Sequence, residues 1–481
     1  MLLITMNFDL IVIGSGPGGQ KAALQGAKAG KKVAIIEEYA AIGGGCVHFG
    51  TLPSKSFRES VYRWSLGSRG TLGQSSVGTN GAEKEIPTKR IKDLPDMRRL
   101  LKRKERVVSD EARIIFDQLK RNAITILHGK ARIKSANEVL VVSPKGKKTI
   151  TGKFIVVATG ARPVSPAHLA IDGKRVVDSN TVLDLKKLPK SMVVLGAGII
   201  GCEYASMFGM AGTKVHLIDR RHEMLASVDR EIVSHLTERF LSLKMDIILK
   251  VEATKLERLK TGVRVHLSDG RKLTVDTVLV TLGRCGNTEG LGLQEVGVEM
   301  DERGLVKVDK SYRTNVPNIF AVGDVVGMPA LASTSMEQGR IACCNAFGLE
   351  RSEMSPLFPY GIYTIPEISM VGPTEEELVA KKAEFVIGRA RYRELARGQI
   401  VGDRWGLLKL IVDKKTLKLL AVHIIGDNAA ELVHIGQSVM AFDGDVKYFI
   451  RTVFNYPTLA EAYKTAAFHA VNQIRTSNQP A

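Results

Sequence analysis

The stretch F-D-L-I-V-I-G-S-G-P-G-G at residues 8–19 decides the fold of this 481-residue chain. An apolar, β-branched run at 8–13 leads into a glycine turn, and small and polar residues follow at 20–29. A second apolar run at 32–36 ends at Glu37. This order of strand, glycine turn, helix, strand and acid is typical of a Rossmann-like dinucleotide-binding unit, and it predicts a parallel α/β sheet.

The glycines of this turn have separate predicted roles. Gly14 permits the tight turn, Gly16 lets the backbone approach a pyrophosphate, and Gly19 allows close packing of the helix. The helix N-terminus offers unpaired N–H groups to the phosphates, and Glu37 is placed to accept hydrogen bonds from a ribose diol. The dinucleotide contacts that we predict in this unit are Gly14, Gly16, Gly18, Gly19, Glu37 and Glu38.

The same motif recurs later in the chain, with G-A-G-I-I-G at 196–201 and a second acid at Asp219. Gly196 and Asp219 are 23 residues apart, as are Gly14 and Glu37. Two units at matching spacing support each other and imply two dinucleotides per chain. The contacts predicted in the second unit are Gly196, Gly198, Ile199, Gly201, Glu203, Asp219, Arg220, Arg221 and, further along, Gly283.

Asp219 and the two residues after it point to different nucleotides. An acid at the end of this strand favours the free 2′-hydroxyl of NAD. Arg220 and Arg221 follow at once, and guanidinium groups there favour the 2′-phosphate of NADP. Either the arginines are solvated loop charges or the site accepts both nucleotides, and the sequence leaves both readings open.

Residues 42–56 read I-G-G-G-C-V-H-F-G-T-L-P-S-K-S and contain one cysteine where a redox relay needs two. A disulfide beside a flavin needs a second thiol five positions after Cys46, and that position is Thr51. A hydroxyl cannot form a disulfide, so a dithiol at this point is excluded. A Cys46 thiolate could still make a charge-transfer contact. Lys55, on a predicted helix, is either a surface lysine or a cation close to a flavin ring.

Other short motifs are predicted to complete the first site. Ala131 follows a strand, where its small side chain lets the backbone contact an adenine. The motif A-V-G-D at 321–324 ends in Asp324, which is either a surface acid or a ligand of a ribityl hydroxyl. A helix that opens near Ala332 directs backbone N–H groups at a flavin edge. The remaining FAD contacts predicted are Gly44, Gly45, Cys46, Thr51, Lys55, Thr159 and Gly160.

The formal charge of +19 would attract anionic partners, either nucleic acid or phosphorylated small molecules. Basic residues concentrate at 89–106 without interleaved aromatics, so we expect a solvated helix face there and no nucleic-acid binding. Residues 69–85, rich in Gly, Ser, Thr and Asn, predict a surface loop.

Cysteine usage and the N-terminus predict a cytoplasmic protein. The five cysteines have no metal-ligand spacing, so no metal is expected, and free thiols suit a reducing compartment; they are Cys46, Cys202, Cys285, Cys343 and Cys344. M-L-L-I-T-M at 1–6 lacks a basic region, and no run of about 18 apolar residues occurs, so neither a signal peptide nor a membrane span is expected. Met1 and Met6 are both candidate first residues.

With these motifs in place, the chain resembles the flavoprotein pyridine nucleotide–disulfide oxidoreductases over nearly its whole length. The resemblance rests on the two nucleotide units, on G-G-G-C with P-S-K, on A-V-G-D, and on Y-P-T-L-A-E at 456–461. It implies an α/β fold with two Rossmann-like domains, for FAD and NAD(P), and a C-terminal α+β dimerisation domain of a homodimer. The expected domains are 1–155 and 284–349 for FAD, 156–283 for NAD(P), and 350–481 for the interface.

Two departures from the family pattern decide the activity that the resemblance implies. In the member lipoamide dehydrogenase the redox stretch is C-x-x-x-x-C, and H-P-x-x-x-E in the tail supplies an acid–base histidine. Here Thr51 replaces the second cysteine, and Tyr456 stands in place of the histidine. Members that share both departures pass hydride from NADPH to NAD⁺ through FAD by a ping-pong mechanism. The catalytic candidates are then Cys46, Lys55 and Glu203, and a diaphorase or single-thiol reductase is the alternative.

Overall fold

A computed structural model describes residues 6–69, 95–349 and 353–477. The choice between Met1 and Met6 as first residue, the loop predicted at 69–85 and the first part of the basic segment 89–106 fall at least partly outside these ranges.

The first nucleotide unit forms a seven-stranded sheet in the order β3-β2-β1-β6-β5-β4, with β17 of a later segment beside β6. Strands β1, β2, β3 and β6 are parallel, and β4 and β5 extend the sheet as antiparallel strands. Its elements in chain order are β1 (Met6–Ile13), α1 (Pro17–Lys28), β2 (Val33–Glu37), α2 (Gly44–His48), α3 (Thr51–Arg69), α4 (Met97–Arg121), β3 (Thr125–His128), β4 (Lys130–Ser135), β5 (Glu138–Ser143) and β6 (Gly146–Val157).

Helix α4 contains residues 97–106 of the basic segment, for which a solvated helix face is predicted. The Asp96 side chain caps it by accepting a hydrogen bond from the Arg98 N–H at 3.0 Å. Leu101, Ile115 and Leu119 are buried, while the basic side chains in the first turns are exposed, as on a solvated helix face.

The second nucleotide unit forms a five-stranded parallel sheet in the order β11-β10-β9-β15-β8, followed by a three-stranded antiparallel sheet, β12-β13-β14. Strand β15 ends at Val280, and Thr281 then donates both its N–H and its hydroxyl to the Leu195 carbonyl, each at 2.8 Å. The elements are β7 (Ala161–Pro163), β8 (Val176–Asp178), β9 (Ser191–Leu195), α5 (Ile199–Met210), β10 (Lys214–Asp219), α6 (Arg230–Ser242), β11 (Asp246–Leu249), β12 (Ala253–Leu259), β13 (Gly262–Leu267), β14 (Lys272–Val275) and β15 (Thr277–Val280).

The chain then returns to the first sheet. Strand β16 (Arg284–Gly286) pairs antiparallel with β7, and β17 (Ile319–Ala321) joins β6 in parallel. Helix α7 (Ala332–Phe347) packs on α1 so closely that a Cβ on Gly339 would lie 2.0 Å from the carbonyl oxygen of Gly18. Cys343 and Cys344 are buried on α7 as core thiols.

The C-terminal segment forms a five-stranded antiparallel sheet, β18-β19-β22-β21-β20, packed against helices. This α+β layer and the two nucleotide units confirm the predicted fold class. Its elements are β18 (Tyr360–Ile362), β19 (Glu367–Val371), α8 (Glu375–Ala380), β20 (Phe385–Arg391), α9 (Ala396–Val401), β21 (Leu407–Asp413), β22 (Leu419–Gly426), α10 (Ala429–Ala441), α11 (Lys447–Arg451) and α12 (Glu461–Ser477).

The predicted domain boundaries stay a prediction, and β6 runs to Val157, across the first of them at 155. None of the helices in the described part of the chain is long and apolar enough to cross a membrane.

Candidate active site

One cavity of about 1740 Å³ connects the first sheet, the second sheet and the C-terminal layer. It gathers nearly all the residues that the sequence singles out. Those that line it are Gly14, Gly16, Gly18, Glu37, Glu38, Gly44, Gly45, Cys46, Thr51, Lys55, Ala131, Thr159, Gly160, Gly196, Gly198, Ile199, Glu203, Asp219, Arg220, Arg221, Gly283, Asp324 and Ala332.

Gly19 and Gly201 were predicted as cofactor contacts but do not line this cavity. A Cβ on Gly19 would lie 2.0 Å from the Gly14 oxygen, and a Cβ on Gly201 would lie 1.8 Å from the Gly196 oxygen. These two glycines therefore let each helix pack on its own turn. Gly16, in contrast, has no atom within 4 Å of the position of a Cβ, which leaves open space for a ligand.

Glu37, the acid of the first unit, is held by neutral donors. Its Oε2 accepts hydrogen bonds from the Ser15 N–H at 3.0 Å and the Ser15 hydroxyl at 2.5 Å. Its Oε1 accepts from the Tyr39 N–H at 2.9 Å. Since a carboxylate offers about four acceptor positions, one remains for a ribose hydroxyl.

Asp219, the acid of the second unit, has a different set of donors. Its Oδ2 accepts from the Ala197 N–H at 2.6 Å and from Arg221 Nη2 at 2.7 Å. Its Oδ1 accepts from the Arg221 N–H at 2.8 Å and from Nε at 3.0 Å. Burial acts to raise the pKa of Asp219, but these hydrogen bonds outweigh it and lower the pKa.

Cys46 lies on α2 beside the first residue of α3, Thr51. Burial raises the pKa of the Cys46 thiol above its usual value, and a hydrogen bond with Thr51 offsets this only in part. The protonated thiol is therefore the form present at neutral pH, which argues against the predicted thiolate contact.

Lys55 and Glu203 are 148 residues apart in sequence and form an ion pair at the cavity wall. Lys55 Nζ lies 2.8 Å from Glu203 Oε2 and 3.0 Å from Oε1. The Tyr363 N–H also donates to Oε1 at 2.8 Å, and the Tyr363 ring centroid lies 4.9 Å from the ammonium. The Lys55 ammonium is thus fixed at the cavity wall by contacts from two other segments of the chain.

Sequence reasoning missed several residues at the cavity wall. Tyr360, Tyr363 and His434 come from the C-terminal layer, and Arg284 from the link between the sheets. Tyr360, Tyr363 and His434 follow no glycine motif, so no sequence signal separates them from ordinary polar positions, whereas Arg284 directly follows the predicted contact Gly283. Tyr456 does not line the cavity of its own chain and is 74% exposed.

The cavity also presents buried polar atoms that lack partners. Thr159 Oγ1 and Arg284 Nε have no hydrogen-bond partner among the described residues, and both residues line the wall. Burial raises the pKa of Asp324, against the influence of Arg284, whose Nε lies 3.7 Å from Oδ2. Unsatisfied donors and acceptors at an open wall fit a ligand with many polar groups.

Residues 8–339 match the family model of the pyridine nucleotide-disulphide oxidoreductases, and residues 358–467 match the dimerisation domain of that family. The chain belongs to the pyridine nucleotide-disulphide oxidoreductase family. The second match supports a homodimer as the assembly of this oxidoreductase.

Relatives of this oxidoreductase cover nearly its whole length. Soluble pyridine nucleotide transhydrogenases from Mycobacterium bovis and Pseudomonas entomophila are 45% and 40% identical to it, over 98% and 97% of this chain and 99% of each relative. Among solved structures, the HOCl-induced flavoprotein disulfide reductase RclA from Escherichia coli is 28% identical with a TM-score of 0.85, over 96% of this chain and 99% of that one. LpdA from Mycobacterium tuberculosis is 26% identical with a TM-score of 0.85 and the same coverage.

Proposed function

We propose that this oxidoreductase is an FAD-dependent transhydrogenase that moves hydride between NADPH and NAD⁺ in a ping-pong order. The observation that carries the proposal is the pairing of two dinucleotide units around one cavity, with Cys46 the only cysteine among the described residues that line it. Cys46 has Thr51 where a disulfide partner would stand. The 40–45% identity to named transhydrogenases supports the same activity.

The residues present at the first unit fit FAD. Open space beside Gly16, Gly45 and Gly160 leaves room for a ligand close to the backbone, and Glu37 keeps one acceptor position for a ribose. Thr159 and Arg284 offer unpartnered polar atoms. We propose that these residues, with Ala131, Asp324 and the N-terminus of α7, hold FAD, and that Gly196, Gly198 and Gly283 border the NAD(P) site.

The bound flavin would supply the redox chemistry, since it accepts a hydride from one nicotinamide and returns it to another. The chain supplies orientation and electrostatics. Lys55 places a fixed cation where the site gains negative charge, and Glu203 holds that cation in position. Direct hydride transfer has no proton to abstract, so a histidine in place of Tyr456 is not required.

Cys46→Ser is expected to keep transhydrogenation within about threefold of the original rate, because the thiol is protonated and has no partner thiol. The measurement is the steady-state rate of NADPH-dependent reduction of a thio-NAD⁺ analogue by flavin-loaded protein. A folded, FAD-containing Cys46→Ser protein without this activity would contradict the proposal and would favour single-thiol chemistry.

Two glycine substitutions separate cofactor binding from folding. Gly16→Ala is expected to fold but to weaken FAD binding about tenfold or more, because its methyl group enters the open space beside the turn. Gly19→Ala is expected to lower the unfolding temperature, since its methyl group meets the Gly14 carbonyl. FAD retained after gel filtration and thermal unfolding are measured for both; equal FAD loss at equal stability would contradict the assignment.

The assay that tests the proposed function gives NADPH as donor with either a thio-NAD⁺ analogue or lipoamide as acceptor. Rapid reduction of the analogue with no lipoamide turnover is expected. The opposite result would favour the single-thiol reductase.

We also propose a cytoplasmic homodimer whose contact surface includes exposed apolar side chains of the C-terminal layer, which are Phe442, Tyr448, Val453, Tyr456 and Phe468.

A further inference from the structure

The carboxylate of Asp219 has no acceptor position left for a ribose. It is 6% exposed and accepts four hydrogen bonds, three of them from Arg221 and one from Ala197. A carboxylate offers about four such positions. NAD needs an acceptor for its ribose hydroxyls at this strand end, so the observed arrangement is not the one that NAD requires.

The first nucleotide unit provides an internal comparison. Tyr39 stands two residues after Glu37, as Arg221 stands two residues after Asp219. Each donates its backbone N–H to the acid, at 2.9 Å and 2.8 Å. The units differ in their remaining donors: the Ser15 hydroxyl takes one further position on Glu37 and leaves one free, whereas the Arg221 Nε and Nη2 take both further positions on Asp219.

Arg221 is placed to leave Asp219 without disturbing the fold. Its side chain is 45% exposed and lines the cavity. Its Nη2 lies 3.8 Å from the position of a Cβ on Gly198, at the glycine turn that approaches the nucleotide. Arg220 beside it is exposed and lines the same cavity, and the hydrogen bonds that Asp219 accepts in the described part of the chain come from Arg221 and Ala197.

We propose that Arg221 is a specificity switch that competes with the adenosine ribose for Asp219. Paired with Asp219, the guanidinium offers a cationic surface to the 2′-phosphate of NADP. Released from Asp219, it leaves the carboxylate free to accept the 2′- and 3′-hydroxyls of NAD. One site thereby accepts both nucleotides in turn, which deepens the proposed function and rests on it.

Two neighbouring arginines give a matched pair of variants. Arg220→Ala and Arg221→Ala each remove one positive charge from the same cavity mouth, but only Arg221→Ala frees Asp219. Both are expected to weaken NADP⁺ binding, by about tenfold for Arg221→Ala. Only Arg221→Ala is expected to strengthen NAD⁺ binding, by about threefold or more, because NAD⁺ no longer displaces a guanidinium.

The test measures dissociation constants of NAD⁺ and NADP⁺ by titration of the oxidised, FAD-loaded protein, with FAD content and unfolding temperature recorded for each variant. Asp219→Asn, which keeps an acceptor for the Ala197 N–H, is expected to weaken NAD⁺ binding and spare NADP⁺. Weaker or unchanged NAD⁺ binding in Arg221→Ala, or an equal gain in Arg220→Ala, would overturn the switch. The titrations involve no hydride transfer. A wild-type protein that fails to reduce NAD⁺ would therefore contradict the proposed function but not the role of Arg221 in binding.

Discussion

Lys409→Met is expected to lower the free energy of unfolding by about 3–5 kcal/mol, because it leaves the buried Asp229 carboxylate without its cation. The Lys409 side chain is fully buried, with its Nζ 2.8 Å from Asp229, 3.1 Å from Glu231 and 2.6 Å from Glu375. Asp229 is itself fully buried and caps α6 by accepting from the Glu231 N–H. Loss of Lys409 therefore also loosens the contact between the second nucleotide unit and the C-terminal layer.

Urea unfolding followed by fluorescence measures this effect, with Lys415→Met as the control. Lys415 also forms an ion pair, 2.7 Å from Glu384, but its side chain is 78% exposed, so its loss is expected to leave the urea midpoint unchanged. Asp229→Asn combined with Lys409→Met is expected to recover part of the loss, since it removes one uncompensated charge. Equal midpoints for Lys409→Met and Lys415→Met would show that the buried network does not stabilise the fold.

Lys55→Met is expected to slow the oxidation of NADPH by the holoenzyme about 100-fold, the usual cost of removing one preorganised charge at a reacting centre. Lys55 lines the cavity with its side chain 25% exposed, and its ammonium is fixed by Glu203 and the Tyr363 ring. Stopped-flow absorbance of the flavin after mixing with NADPH gives the rate. Lys28→Met, at the exposed end of α1, is the control.

A double variant separates a direct electrostatic effect from a structural one. Lys55→Met leaves Glu203 buried with only the Tyr363 N–H as donor, so slow turnover could arise from that uncompensated charge. Lys55→Met with Glu203→Gln removes both charges. If the Lys55 cation acts directly on hydride transfer, NADPH oxidation by the double variant stays slow. If the uncompensated charge of Glu203 slows Lys55→Met, the double variant recovers the rate of the original protein.

The fold was predictable because the features that define each nucleotide unit lie close together in the sequence. Turn glycines, apolar strands and the terminal acids lie within a span of about 30 residues, and each feature has a backbone reason. The capped helix after Asp96 was predictable for the same reason. The ion pair of Lys55 with Glu203 depends on how two units pack together, so the sequence suggested its members without fixing their contact.

The parts that sequence reasoning missed depend on side-chain partners. Asp219 ends its strand as predicted. That Arg221 fills the acceptor positions of its carboxylate depends on the Arg221 rotamer and its hydrogen bonds. Burial decides the protonation of Cys46, and no motif encodes it. Tyr363 and His434 reach the cavity from the C-terminal layer, whose segments carry no nucleotide motif. Long-range packing, rather than propensity, buries Cys46 and brings Tyr363 and His434 to the cavity, whereas the contact of Arg221 with Asp219 is local.

An anaerobic experiment in two half-reactions tests the central claim most directly. The FAD-loaded protein is first reduced with an equal amount of NADPH and freed of NADP⁺, and NAD⁺ is then added. We expect the visible flavin absorption to return fully and about one NADH to form per flavin, with no thiol-reactive acceptor present. A reduced flavin that NAD⁺ leaves unchanged, while a small disulfide or a quinone reoxidises it, would contradict the account.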